Sequence, residues 1–244
     1  MDTTLLAVMV AWFAGSFVSG VSGLGAALVA VPVLAFFLPM KENILLSCLV
    51  LATLDSFIFL QHRHFCRPWS ALRLMVGIVP GTLAGVLVLE HVPERGLEAA
   101  VGLLLLLFLA WECRTKTQAR GRESWLWGGL VGTVASMTGA AISMGGPPVA
   151  AYGLRMGWEP RVYLGTLGLF YGVRAIAACV AQASHGMYTS TVLYYYLWTL
   201  PAVLLSSMLA LHVVRHISRQ RFRRVVCAVL AVGGVACLAR AAIG

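Results

Sequence analysis

Acidic residues are scarce in this chain: nine Asp and Glu in 244 residues, against 18 Lys and Arg. Charged residues together make up 11% of the sequence, where a soluble domain carries about 25%. So little charge cannot clothe a globule in water, and a soluble enzyme or binding module is excluded. No CxxC pair occurs. The six cysteines (Cys48, Cys66, Cys113, Cys179, Cys227, Cys237) stand far apart, and four lie inside apolar runs. Neither a disulfide framework nor a zinc site is expected from them. The histidines gather near the ends of apolar runs, and His62 and His64 share a basic loop with no other ligand nearby. No metal, no cofactor and no intramembrane acid–base enzyme is therefore expected. A basic leader is missing as well: MDTTLL opens with an acid, so the first apolar segment is expected to stay in place.

What is present is hydrophobic: 60% of residues, with a mean hydropathy of +0.87. That composition reads as an all-α integral membrane protein. The net charge of +9 does not point to nucleic acid, because nearly all Lys and Arg sit in short loops between apolar runs. Two halves emerge. The first, 1–112, holds an apolar block at 5–38 and spans near 44–60, 71–89 and 97–111. A polar linker at 113–124 follows. The second, 125–244, holds a block at 125–154 and spans near 162–183, 191–214 and 225–242.

Both blocks are longer than one span of about 20 residues, and both are broken in the middle. The first carries Ser19, Ser22, Gly23 and Gly25, closed by Pro32 and Pro39; the second carries Ser136, Thr138, Gly139, Ser143, Gly145, Gly146, Pro147 and Pro148. Interior Pro removes a helical hydrogen bond, and Gly costs backbone entropy. Neither block should be one straight helix, and broken backbone at membrane depth belongs where protein covers it or a cavity is lined. Gly23–Met40 placed on Gly139–Met156 matches at six of 18 positions, including Pro32 with Pro148 and Met40 with Met156. The chain thus reads as two repeats, a usual build of secondary transporters.

Loop charge chooses the topology. If each block crossed once, nine Lys and Arg would face one side and seven the other, against the positive-inside rule. If each block dips in and returns, Lys41, Arg95 and Arg240 face out. Thirteen then face in: Arg63, Arg67, Arg114, Lys116, Arg120, Arg122, Arg155, Arg161, Arg215, Arg219, Arg221, Arg223 and Arg224. Three full spans per half invert one repeat against the other. The expectation is two inverted repeats, each a re-entrant hairpin plus three transmembrane helices, with both termini outside, a cytoplasmic linker, and hairpin arms of about 12–16 residues.

A broken helix offers unpaired N–H groups and a positive dipole end to an anion. Ser19, Ser22, Ser136, Thr138 and Ser143 add hydroxyls, and Gly23, Gly25, Gly139, Gly145, Gly146 and Pro147 complete the two expected tips. Small residues can equally serve only to let helices pack closely. Asp55 and Arg174 stand well inside simple spans, at depths within roughly 5 Å of each other. Buried charge marks function by default. Either the two form a structural ion pair, or Arg174 faces the anion while Asp55 tunes it or carries a proton. The cluster Arg215, Arg219, Arg221, Arg223 and Arg224 suits anionic lipid headgroups.

SGVSGLGAALVAVPVL in the first half and GTVASMTGAAISMGGPPVAAY in the second resemble the paired glycine signatures of the TauE/SafE family, also called the TSUP transporters. GIVPGTLAGVLV, EPRVYLGT and the terminal RFRRVVCAVLAVGGVACL extend the likeness, while Gly25-Ala26-Ala27 departs from the family's glycine run. The resemblance implies a transporter of the bacterial inner membrane for sulfite, sulfonates or related organosulfur anions. A passive anion channel and a carboxylate transporter stay open as alternatives; oligomeric state is not readable.

Overall fold

A computed structural model describes residues 3–22, 25–114, 123–213 and 219–243. Every element among them is helical. The linker residues 115–122, Gly23, Arg215 and the side chains of Ser22, Arg219, Arg221, Arg223 and Arg224 lie outside the described residues. Five helices are long and apolar enough to cross a membrane, six if one bent pair counts as a span. Large side chains such as Trp69, Val79, Leu126 and Val232 are exposed on their surfaces, as lipid contact requires. The chain is a multi-pass membrane protein.

The first block is α1 (Thr3–Ser22) followed by α2 (Ala26–Leu34); the second is α7 (Trp125–Ile142) followed by α8 (Gly146–Arg155). Both fold back on themselves. A Cβ on Gly15 would lie 2.5 Å from the Ala26 carbonyl oxygen. On a continuous helix, eleven residues would separate those positions by about 16 Å. Gly145 meets the Ala135 carbonyl in the same way. The turns pass through left-handed backbone at Gly25 (φ 104°) and at Ser143 (φ 59°).

The arms are unequal, 20 and 9 residues in one hairpin, 18 and 10 in the other, in place of the expected 12–16 each. The reason is local. Thr138, one of the expected break residues, bonds back to the Val134 carbonyl at 2.9 Å and leaves the helix intact, as Ser16 does to Trp12 at 2.6 Å and Thr133 to Gly129 at 2.9 Å. Ser136, Thr138 and Gly139 therefore belong to α7, and the turn itself is confined to Ser143–Gly145. Ile142 ends α7 120 positions after Ser22 ends α1. The sequence match of the halves falls four residues, about one turn, out of register with these breaks.

The remaining helices are α3 (Met40–His62), α4 (Pro68–Met75), α5 (Ile78–His91), α6 (Glu94–Arg114), α9 (Pro160–Ser184), α10 (Ser190–Val213) and α11 (Arg219–Ile243). They form two compact units. In one, α1 packs on α10, and α11 packs on α6 and α2. Gly20 there meets the Ala210 side chain, and Gly233 meets Pro32, which cannot donate to its own helix. Arg240 pairs with Glu98 at 3.2 Å and donates to the Ala35 carbonyl beyond the end of α2, while Glu94 accepts from Met40 N–H at the start of α3. A cation at a helix C-terminus and a carboxylate at an N-terminus both suit the dipole.

In the other unit, α7 lies along α5, and α9 packs on α3. Gly77, Gly81 and Gly85 let α5 approach the α7 backbone closely. The α4–α5 pair bends by 44° at Val76–Gly77. Pro80 accounts for it: it has no N–H, and its ring clashes with the carbonyl four residues back, at Val76. At the end of this unit, Glu123 accepts from Ser70 Oγ at 2.8 Å, from Arg73, and from Trp158 Nε1 at 3.1 Å. Each unit thus holds the hairpin of one half against the Pro-bearing span of the other half, Pro201 in α10 and Pro80 in α5.

Candidate functional site

Arg174 stands on α9 and is 3% exposed. Its guanidinium lies against the α7–α8 break, where a Cβ on Gly139 would overlap Nη1 and one on Gly145 would sit 3.2 Å from Cζ and Nε. The Tyr171 ring lies 5.9 Å from Cζ. Neither Nε nor Nη1 has a hydrogen-bond partner. A buried cation with unpaired N–H groups is costly, and an anion at those atoms would relieve the cost.

The break is held from two helices. Tyr171 OH donates to the Gly146 carbonyl at 3.1 Å, and Gln182 Nε2 donates to the Ala140 carbonyl at 3.2 Å and to Cys48 Sγ at 3.4 Å. Tyr188 OH donates to Gln182 Oε1 at 2.8 Å. From α3, Cys48 Sγ reaches the Gly139 carbonyl at 3.7 Å and lies 3.4 Å from Ser143 Oγ. Sequence reading missed Tyr171 and Gln182 as parts of this assembly. Gln182 did carry a signal, a neutral amide inside an apolar span.

Asp55 is 8% exposed on α3. The α3 and α9 helices run antiparallel through a glycine stripe: Gly165 meets His62, Gly168 meets Phe59, and Gly172 meets Ser56. Asp55 and Arg174 therefore lie on facing helices, yet among the described residues no ion pair within 4.0 Å joins them. Gly172 faces α3, and Arg174, two residues on, is turned about 200° around α9 toward the break.

The other expected ligands divide. Ser136 is fully buried with an unpartnered Oγ. Gly139 and Gly145 frame the guanidinium, and Gly146 accepts from Tyr171. Thr138 spends its hydroxyl on Val134 and Ala135. Pro147 and Pro148 open α8 without N–H groups, so that helix start offers fewer donors than an ordinary one. Positive charge at this tip comes from Arg174 instead. Ser19, buried, and Gly25 belong to the other unit, at the first hairpin; Gly23 and the Ser22 side chain lie outside the described residues.

Comparison with known proteins adds one match. The family model described as Sulfite exporter TauE/SafE covers residues 7–237. No curated protein and no solved structure matches the chain. With nearly its whole length covered and five helices long and apolar enough to cross a membrane, the chain belongs to the TauE/SafE sulfite exporter family, a family of membrane transporters.

Proposed function

We infer that the protein is a secondary transporter that moves a small sulfur-containing oxyanion, such as sulfite or a sulfonate, across the bacterial inner membrane by alternating access. The observation that carries this reading is the buried Arg174 guanidinium with Nε and Nη1 unpartnered beside Gly139 and Gly145. Ser136 adds a hydroxyl on α7. Asp55, within the electrostatic reach of Arg174, tunes the site or carries a proton. Ser19, Ser22, Gly23 and Gly25 are the corresponding residues of the first hairpin.

The inverted-repeat topology, with both termini and Arg240 outside, is supported by the distribution of loop charge and by the reciprocal packing of each hairpin on the Pro-bearing span of the other half. In this orientation the Arg215–Arg224 cluster meets anionic headgroups of the inner leaflet.

Counterflow in proteoliposomes tests the reading. Unlabelled sulfite inside should accelerate entry of labelled sulfite, and Arg174→Gln should abolish it with folded protein. Equal rates with and without internal sulfite would indicate a pore. Acceleration by acetate and not by sulfite or methanesulfonate would overturn the sulfur assignment and keep the anion site.

A further inference from the structure

Helical Thr hydroxyls in this protein are ordinarily satisfied by their own helix: Thr53 donates to Leu49, Thr133 to Gly129, Thr138 to Val134 and Thr199 to Tyr195. Thr82 on α5 breaks the pattern. It is 3% exposed, and its Oγ1 has no partner. A buried hydroxyl without a hydrogen bond costs free energy, and turning back to the Ile78 carbonyl would be the local remedy.

Register between helices locates that hydroxyl. Val86 of α5 and Ala178 of α9 pack in one buried cluster, together with Cys48 and Ala140. Further along both helices, Glu90 Oε2 pairs with His185 Nδ1 at 3.2 Å. The two helices therefore run in the same direction. One turn back from Val86 on the same face is Thr82, and one turn back from Ala178 is Arg174. On the α7 side, a Cβ at Gly81 would lie 2.8 Å from the Ser136 Cβ, while Gly139 touches the Arg174 guanidinium. Three helices of one unit thus bring to one level the unpartnered groups Thr82 Oγ1, Ser136 Oγ, Arg174 Nε and Arg174 Nη1.

We propose that Thr82 is a specificity-determining ligand of the anion site, selecting oxyanions with three head-group oxygens over carboxylates. This rests on the Arg174 reading above. A guanidinium fork engages two oxygens of an anion in parallel hydrogen bonds. A carboxylate has only those two. A sulfite or sulfonate head has a third, and the hydroxyls of Thr82 and Ser136 are the donors left to receive it. The site holds one cation and neutral hydroxyls, so it suits a singly charged head.

The test uses the full chain in nanodiscs, titrated with sulfite, methanesulfonate and acetate. Thr82→Val keeps the shape and removes the hydroxyl; it should weaken sulfite and methanesulfonate about tenfold, the worth of a hydrogen bond to a charged group, and leave acetate within about twofold. Its unliganded melting temperature should hold or rise, because an unpaired buried hydroxyl has been removed. Thr82→Ser should stay within about twofold of the native protein for all three. Unchanged sulfite affinity in Thr82→Val, with binding lost in Arg174→Gln, overturns the role of Thr82 alone. Unchanged affinity in Arg174→Gln overturns the site itself. A drop of several degrees in unliganded Thr82→Val, or equal losses in the Ser and Val variants, would make Thr82 structural and overturn the proposal.

Discussion

A Cβ on Gly139 would collide with the Arg174 guanidinium: the three nearest atoms it would meet are all Arg174's. These atoms form the far end of a flexible side chain, so the guanidinium can yield where backbone cannot. Gly139→Ala should therefore fold, with helix stability higher by up to about 1 kcal/mol from the better helix former. It should also push the cation away from the break. Thermal unfolding together with transport reads both, the expected outcome being equal or higher stability with transport lost.

The α5–α7 seam makes the opposite prediction. A Cβ on Gly77 would strike Thr133 N, the Gly129 carbonyl oxygen and Gly132 C, all backbone, at the point where the α4–α5 pair bends. Gly77→Ala should cost roughly 1–3 kcal/mol or more and reduce the folded yield. Gly129→Ala, on the facing helix, meets nothing within 4 Å and should be neutral or stabilising. A common effect of the two would refute the close-packed seam.

Much of this was readable from residue type. Pro and Gly in two overlong apolar blocks foretell the hairpins, because they act on the backbone wherever they stand. Arg174 in an apolar span announces itself by the cost of burying charge. Ser136, Thr138 and Ser143, in contrast, look alike in sequence and do three different things: one hydroxyl is unpartnered, one bonds back within its helix, one sits in the left-handed turn. Thr82 was silent because its importance lies in the register of α5 against α9, which no single segment encodes. A shared depth also left two readings of Asp55 and Arg174 open, because depth does not fix which way a helix turns its side chain.

Glu123 gives a prediction at the far end of the same unit. It accepts hydrogen bonds from Ser70, Arg73 and Trp158, and it lies just before α7. Glu123→Ala removes the acceptor common to all three and leaves the half-buried Arg73 without its counter-charge. The melting temperature should fall by a few degrees. A double-mutant cycle with Arg73→Met should show coupling of about 0.5–3 kcal/mol, and strict additivity would sink the network.

Gln182 closes the set, because its role separates shape from chemistry at the break. It is fully buried, and its amide serves the Ala140 carbonyl near the end of α7. That carbonyl has lost its helical partner: the N–H of Met144, four residues on, is turned to Thr138 at 3.3 Å. Gln182→Leu would bury the Ala140 carbonyl unsatisfied, a cost of about 1–3 kcal/mol. Stability should therefore fall in this variant, the reverse of Gly139→Ala. Transport should weaken through a higher KM as Gly139 and Gly145 drift from Arg174. Native stability in Gln182→Leu would mean that the α7 end is held without this amide. Lost stability with an unchanged KM would mean that the break and the cation do not form one site.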